Sequence, residues 1–285
     1  WDMGAPGAGL PTEAHIDATL KDTEDPSLTE ETTLAGEYNG TFDVEQGTME
    51  ISVDGHFVSE HVNADGELAI EGDLATGGNV TFSGSIRTAE VTLSGGMELT
   101  AVLNETVESF PYVPNDVRIN GSFARVGVSK PIFEGATHIT FTNADTFDFD
   151  PSIEPLIHPD NWPIGTVEFR GAVNPPGKAS VSADIAVSTQ EYMEFDATVR
   201  YDHGTRWIMG TASYNNTGQA TLDVRNQIGL KVNMQAQNIG SEVDDPVVEG
   251  TIKNNSNVVI GTIVTDNFDG MVRVEYEDGS WESLF

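Results

Sequence analysis

Val247-Val248-Glu249-Gly250-Thr251-Ile252 is followed eleven residues on by Val258-Val259-Ile260-Gly261-Thr262-Ile263, one short phrase written twice. Two β-branched runs this close, separated by Lys253-Asn254-Asn255-Ser256-Asn257, read as neighbouring antiparallel strands joined by a polar turn. A looser copy, Trp207-Ile208-Met209-Gly210-Thr211-Ala212, lies upstream. It too runs into an Asn pair, Asn215-Asn216, as the first copy runs into Asn254-Asn255. A mid-strand glycine weakens a sheet unless it permits a bulge, a bend or a close approach. Its recurrence in three strands sets two expectations. Either the glycines let the sheet coil, or they align across strands as a shallow groove that receives a strand or an aromatic ring from another subunit.

The same two-residue period extends outward from this stretch. Apolar and polar residues alternate over 166–173, 179–187, 193–201, 206–214, 219–224, 230–236 and 271–276, with hairpin turns at Asp202-His203-Gly204, Asn267 to Gly270 and Asp278-Gly279. Upstream the period governs 38–44, 48–53, 67–74, 79–86 and 90–99, then 118–128 and 137–141. Turns are read at Glu45-Gln46-Gly47, Asp54-Gly55, Ala64-Asp65-Gly66, Gly77-Gly78 and Gly95-Gly96. Connections this short leave no room for the crossover helices of a parallel sheet. The expected fold is therefore all-β and antiparallel, a meander or Greek key in sandwich or barrel-like modules, with an irregular amino-terminal arm.

Four segments follow. Residues 1–35 form an acidic Gly/Pro-containing arm or linker, in which Thr12 would cap a short helix through Leu20 with Ile16 and Leu20 on one face. Residues 36–144 form an amino-terminal β module and 165–285 a carboxy-terminal β-meander module. Between them, 145–164 is an Asp- and Pro-rich connecting loop, long enough to be a functional segment or a domain boundary.

Charge limits the partners. The 285 residues carry 46 acids against 13 Lys and Arg, a net charge of -33. Residues 1–117 hold 23 acids and two bases, Lys21 and Arg87, so the amino-terminal half is the more anionic. Phosphate recognition relies on clustered Lys and Arg, so anionic lipid is a poor partner and no nucleic-acid partner is expected. Self-repulsion on this scale favours a salty or cation-rich habitat. No apolar run reaches the 18 or so residues of a membrane span, and the first residue is Trp1, which suggests a processed leader. Without Cys there are no disulfides and no thiolate metal sites. Six Asn-x-Ser/Thr sequons, at Asn39, Asn79, Asn104, Asn120, Asn215 and Asn254, point towards a glycosylated surface protein or reflect the frequency of Asn and Thr in turns and strands.

Chemistry-bearing patterns are sparse. Asn143, Asp145, Asp148 and Asp150 put four oxygen donors in eight residues, a candidate Ca²⁺ site without the glycine and terminal glutamate of an EF-hand. Trp162 beside Asp160, and Trp207 in a strand, are candidate sugar platforms for a carbohydrate-binding module or a polysaccharide-acting enzyme. The six His residues never fall at zinc-binding spacing, and no nucleophile elbow, phosphate loop or dinucleotide fingerprint occurs. No catalytic or cofactor-binding residue is assigned. The expected function is that of a non-enzymatic, exported cell-surface or extracellular structural protein, a fibre or coat subunit or an adhesin. Self-association into oligomers or filaments would use strand addition by the arm. A viral spike shares the same physics.

Overall fold

The computed structural model describes residues 12–21, 31–43, 45–104, 112–128, 130–142, 144–145, 164–188, 194–239, 241, 245–266 and 271–284. The chain is all-β, and every strand pairing with a defined register is antiparallel and joins consecutive strands. It divides into two compact units, Trp1–Ile164 and Gly165–Phe285.

The first unit holds β1 (Glu13–Lys21), β2 (Glu31–Asp43), β3 (Thr48–Val58), β4 (Val62–Asp73), β5 (Gly77–Thr88), β6 (Val91–Leu103), β7 (Tyr112–Arg125) and β8 (Phe133–Phe141), hydrogen-bonded in that order. Two local expectations are corrected here. Residues 13–21 are a strand and not a helix, because Ala14, Ile16 and Ala18 alternate with His15, Asp17 and Thr19, and the strand pairs with β2 from Glu13↔Asn39 to Lys21↔Glu31. The Ile16/Leu20 spacing that suggests a helical face is equally a multiple of two. The dipeptides Asp54-Gly55, Asp65-Gly66 and Gly95-Gly96 are not turns but lie inside β3, β4 and β6. The chain reverses instead at 59–61, where the Ser59 hydroxyl accepts from the Val62 N–H at 3.1 Å, and at 89–90, where the Thr88 hydroxyl accepts from the Val91 N–H at 3.1 Å.

The second unit holds β9 (Ile164–Val173), β10 (Ser180–Ser188), β11 (Glu194–His203), β12 (Arg206–Tyr214), β13 (Ala220–Asn226), β14 (Lys231–Gln237), β15 (Val247–Lys253), β16 (Val259–Thr265), β17 (Val272–Tyr276) and β18 (Trp281–Ser283). Its turns repeat one device. Asn215 Oδ1 accepts from the N–H groups of Thr217 and Gln219, both at 3.1 Å, and Asn226 Oδ1 accepts from those of Ile228 and Leu230, both at 3.1 Å. Asn254 Oδ1 does the same for Ser256 and Val258 at 2.9 and 3.0 Å. The fourth residue of each turn, Gly218, Gly229 or Asn257, takes the left-handed conformation at φ 73°, 85° and 60°. Asn side chains mimic backbone in such turns, and Gly or Asn accepts the left-handed geometry with least strain.

The repeated phrase forms β15 and β16, which pair as neighbours. Antiparallel pairing of two copies reverses one against the other, so Thr251 meets Thr262 while Gly250 faces Ile263 and Gly261 faces Ile252. Gly210 faces Val199 and Val224. The three phrase glycines therefore do not line up with one another. Two of them stand where neighbours are close: a methyl group at Gly250 would run into the backbone of Asn233 and Met234, and one at Gly261 would lie 3.1 Å from Val274 Cγ1. Ile263, opposite Gly250, is 1% exposed and forms a small core with Val272 and Val274. Partly buried Val232, Met234, Val248, Ile252 and Tyr276 pack against it.

Candidate interaction surface

Residues directly opposite in an antiparallel sheet point to the same face, so the register assigns each side chain of β2–β8 to one of two sides. One cross-strand row consists of glycine alone: Gly36, Gly55, Gly66, Gly84, Gly95, Gly121 and Gly135. At a strand spacing of about 4.8 Å this line of bare backbone runs for about 29 Å.

Apolar rows flank it on both sides. Two residues along each strand in one direction lie Leu34, Phe57, Ala64, Ile86, Leu93 and Phe123. In the other direction lie Tyr38, Val53, Leu68, Phe82, Met97 and Ile119, followed outward by Ile51, Ile70, Val80, Leu99, Val117 and Ile139. Phe82 is 48% exposed, Leu93 49% and Ile119 46%, and no apolar side chain of the described residues in β1–β8 is buried. The middle of the row, Gly55, Gly66, Gly84 and Gly95, lies with its apolar walls in a trench of about 680 Å³. Glycine has two separate reasons along this row. A methyl group at Gly95 would come within 2.8 Å of the Asn120 carbonyl oxygen, whereas one at Gly55 would meet nothing within 4 Å.

The opposite face of the same strands is polar and acidic. On β2–β4 it carries Glu37 opposite Asp54 opposite Glu67, and Glu50 opposite Glu71. His56 stands across from Asp65 and bonds its carboxylate, and His138 Nε2 lies 2.6 Å from Asp116 Oδ2. His56 and His138 thus serve as cross-strand carboxylate partners. Among the described residues no three His, Asp or Glu converge as metal ligands. Of the four candidate Ca²⁺ donors, Asp145 is exposed in a turn after β8, and Asn143, Asp148 and Asp150 lie outside the described residues.

Trp162 also lies outside them. Trp207 is half-buried, with the Arg200 guanidinium 5.2 Å from its ring centroid. Arg200 is in turn held by Asp202, at 2.7 Å from Nε and 2.9 Å from Nη2, and that hydrogen bond raises its pKa. One ring face of Trp207 is therefore occupied by a cation. The sequons divide by location. Asn39, Asn79 and Asn120 are exposed on the polar face, and Asn215 and Asn254 shape turns. Asn104 is fully buried, its Nδ2 donating to the Ala144 carbonyl at 2.9 Å, so the folded chain offers it no access for a glycan.

The apolar face with its glycine row is absent from the sequence-based expectations. Its signal is present in the chain all the same, as a glycine flanked at two residues on either side by apolar residues in strand after strand. No family model matches the chain, and neither a curated protein nor a solved structure matches it.

Proposed function

We propose that the chain is a non-enzymatic structural or adhesive subunit of an extracellular or cell-surface assembly, self-associating through the apolar face of its amino-terminal sheet. The observation that carries this reading is the exposed apolar face itself. Four rows, at about 6.7 Å per two residues, by seven strands give a footprint of about 600 Å². That is about one partner's share of the smaller specific protein interfaces, and as large as the largest apolar patches of monomeric proteins. A second copy fits best, because sheets pack face to face about 10 Å apart and an isologous contact needs only one self-complementary surface. The acidic opposite face would then meet solvent and its cations, in keeping with a salt-rich exterior habitat.

The arm enters this reading in a modified form. Residues 13–21 already pair with β2, so strand addition by the arm would be an exchange, with β1 of one copy taking the same register on β2 of another. The test is mass by light scattering and sedimentation, with electron microscopy of the purified protein at low and molar salt. Dimers or larger assemblies that dissociate when Phe82→Ser and Ile119→Ser are combined support the apolar contact. A wild-type protein that stays monomeric at every concentration and salt level refutes it.

A further inference from the structure

An isologous face-to-face contact closes at a dimer, so a filament or coat requires a second and different contact. The polar face of the carboxy-terminal sheet carries an arrangement suited to one. Arg225 stands opposite Lys231, and Lys231 opposite Lys253, three cations in one cross-strand row of a chain with only 13 Lys and Arg. Like charges directly opposite destabilise a sheet. Among the described residues, none of the three is paired with a carboxylate: Lys231 Nζ donates to Asn257 Oδ1 at 2.8 Å and Arg225 reaches only Met209 Sδ at 3.8 Å. The nearest acid on that face, Asp223, accepts instead from Asn233.

The polar face of the amino-terminal sheet carries the opposite charge in the same form. Glu37, Asp54 and Glu67 occupy one row on three adjacent strands, all exposed, and β2–β4 contain no Lys or Arg. Both rows repeat at the cross-strand Cα spacing of about 5 Å. Three carboxylates can therefore oppose three cations one for one.

We infer that the row Arg225, Lys231 and Lys253 of one copy docks on the row Glu37, Asp54 and Glu67 of a second copy, a head-to-tail contact that extends the apolar dimer into a polymer. The inference rests on the apolar-face reading above. Each row alone bears a like-charge cost, offset on the acidic side only at its end, where His15 Nδ1 lies 3.7 Å from Glu37 Oε1, and the contact lowers both. Because the two surfaces differ, the contact is heterologous, and it propagates from copy to copy unless its rotation closes a ring.

The test compares wild type with a cation-reversed variant (Arg225→Glu, Lys231→Glu, Lys253→Glu), an acid-reversed variant (Glu37→Lys, Asp54→Lys, Glu67→Lys) and a chain with both sets, at one fixed salt concentration. Circular dichroism of each variant reports folding. Sedimentation is expected to show wild type beyond the dimer, each single-set variant stopping at the dimer, and larger species returning when the two variants are mixed or when both sets share one chain. The inference fails if the cation-reversed variant assembles like wild type, if mixing restores nothing, or if wild type itself stops at the dimer. A wild type that never leaves the monomer signals instead that the apolar-face reading has failed.

Discussion

Gly55 stands directly across from Gly66 in the β3–β4 register, and at Gly55 the sheet surface is open for at least 4 Å beyond the bare backbone. A methyl group could be accommodated there without touching its own chain. The position is nonetheless glycine, in a strand where glycine is otherwise a liability.

Gly55→Leu is therefore expected to leave the monomer as stable as before or slightly more so, since a strand interior gains from a side chain. Assembly, in contrast, should be lost, because leucine fills the trench that a second copy must enter. Urea unfolding and sedimentation of the same sample check both halves. A Gly55→Leu protein that assembles normally would show that the trench is not an interface.

Gly95→Ala should behave in the opposite way. Its methyl group would lie 2.8 Å from the Asn120 carbonyl oxygen, which is backbone and cannot swing aside. Overpacking of this kind costs about 1–3 kcal/mol. The loss should appear in the urea midpoint of the monomer, before any question of assembly arises.

Asn104→Ala removes the donor that bonds the Ala144 carbonyl at 2.9 Å, linking the residue after β6 to the turn after β8. A buried acceptor left unsatisfied costs about 1–3 kcal/mol. Denaturant unfolding should register that loss, and Asn104→Gln should not rescue it, because the site is fully enclosed.

Stability should rise with salt. Glu37, Asp54 and Glu67 sit about 5 Å apart across β2–β4. That spacing lies well inside the Debye length of about 10 Å at 0.1 M but exceeds the 3 Å or so at 1 M. Molar NaCl is needed to screen such neighbours, so the melting temperature should keep climbing into the molar range. A flat curve from low to molar salt would remove the case for a saline habitat.

The carboxy-terminal meander was the more legible half because its turns use residues that are unambiguous in sequence. Arg206–Tyr214 is bounded as its alternation implies, and most other strands of that unit shift by one or two residues. In the amino-terminal half, Asp-Gly and Gly-Gly carried two meanings. The same dipeptides that close hairpins also supply the mid-strand row, so β3 and β4 read shorter than they are. Only the register, which depends on all seven strands at once, separates the meanings. The cation row was hidden for the same reason: Arg225, Lys231 and Lys253 are scattered in sequence, and pairing alone makes them neighbours.

Asp278 supplies the pH dependence at the last hairpin. Its Oδ1 accepts from the Ser280 hydroxyl at 2.5 Å and from the Ser280 N–H at 2.9 Å. These two bonds, the hydroxyl first, hold its pKa below the ordinary carboxylate value of 3.8. A carboxylate whose pKa is lower folded than unfolded stabilises the fold fully above the unfolded value, and that contribution disappears as pH falls through the folded one. Asp278→Ala should therefore lower the melting temperature slightly at neutral pH, and the gap from wild type should close once pH drops well below 3.8. Both proteins share every other carboxylate, so the acid response of the rest of the chain cancels in the comparison. A gap that persists unchanged in acid would mean that Asp278 acts through its shape in the turn and not through its charge.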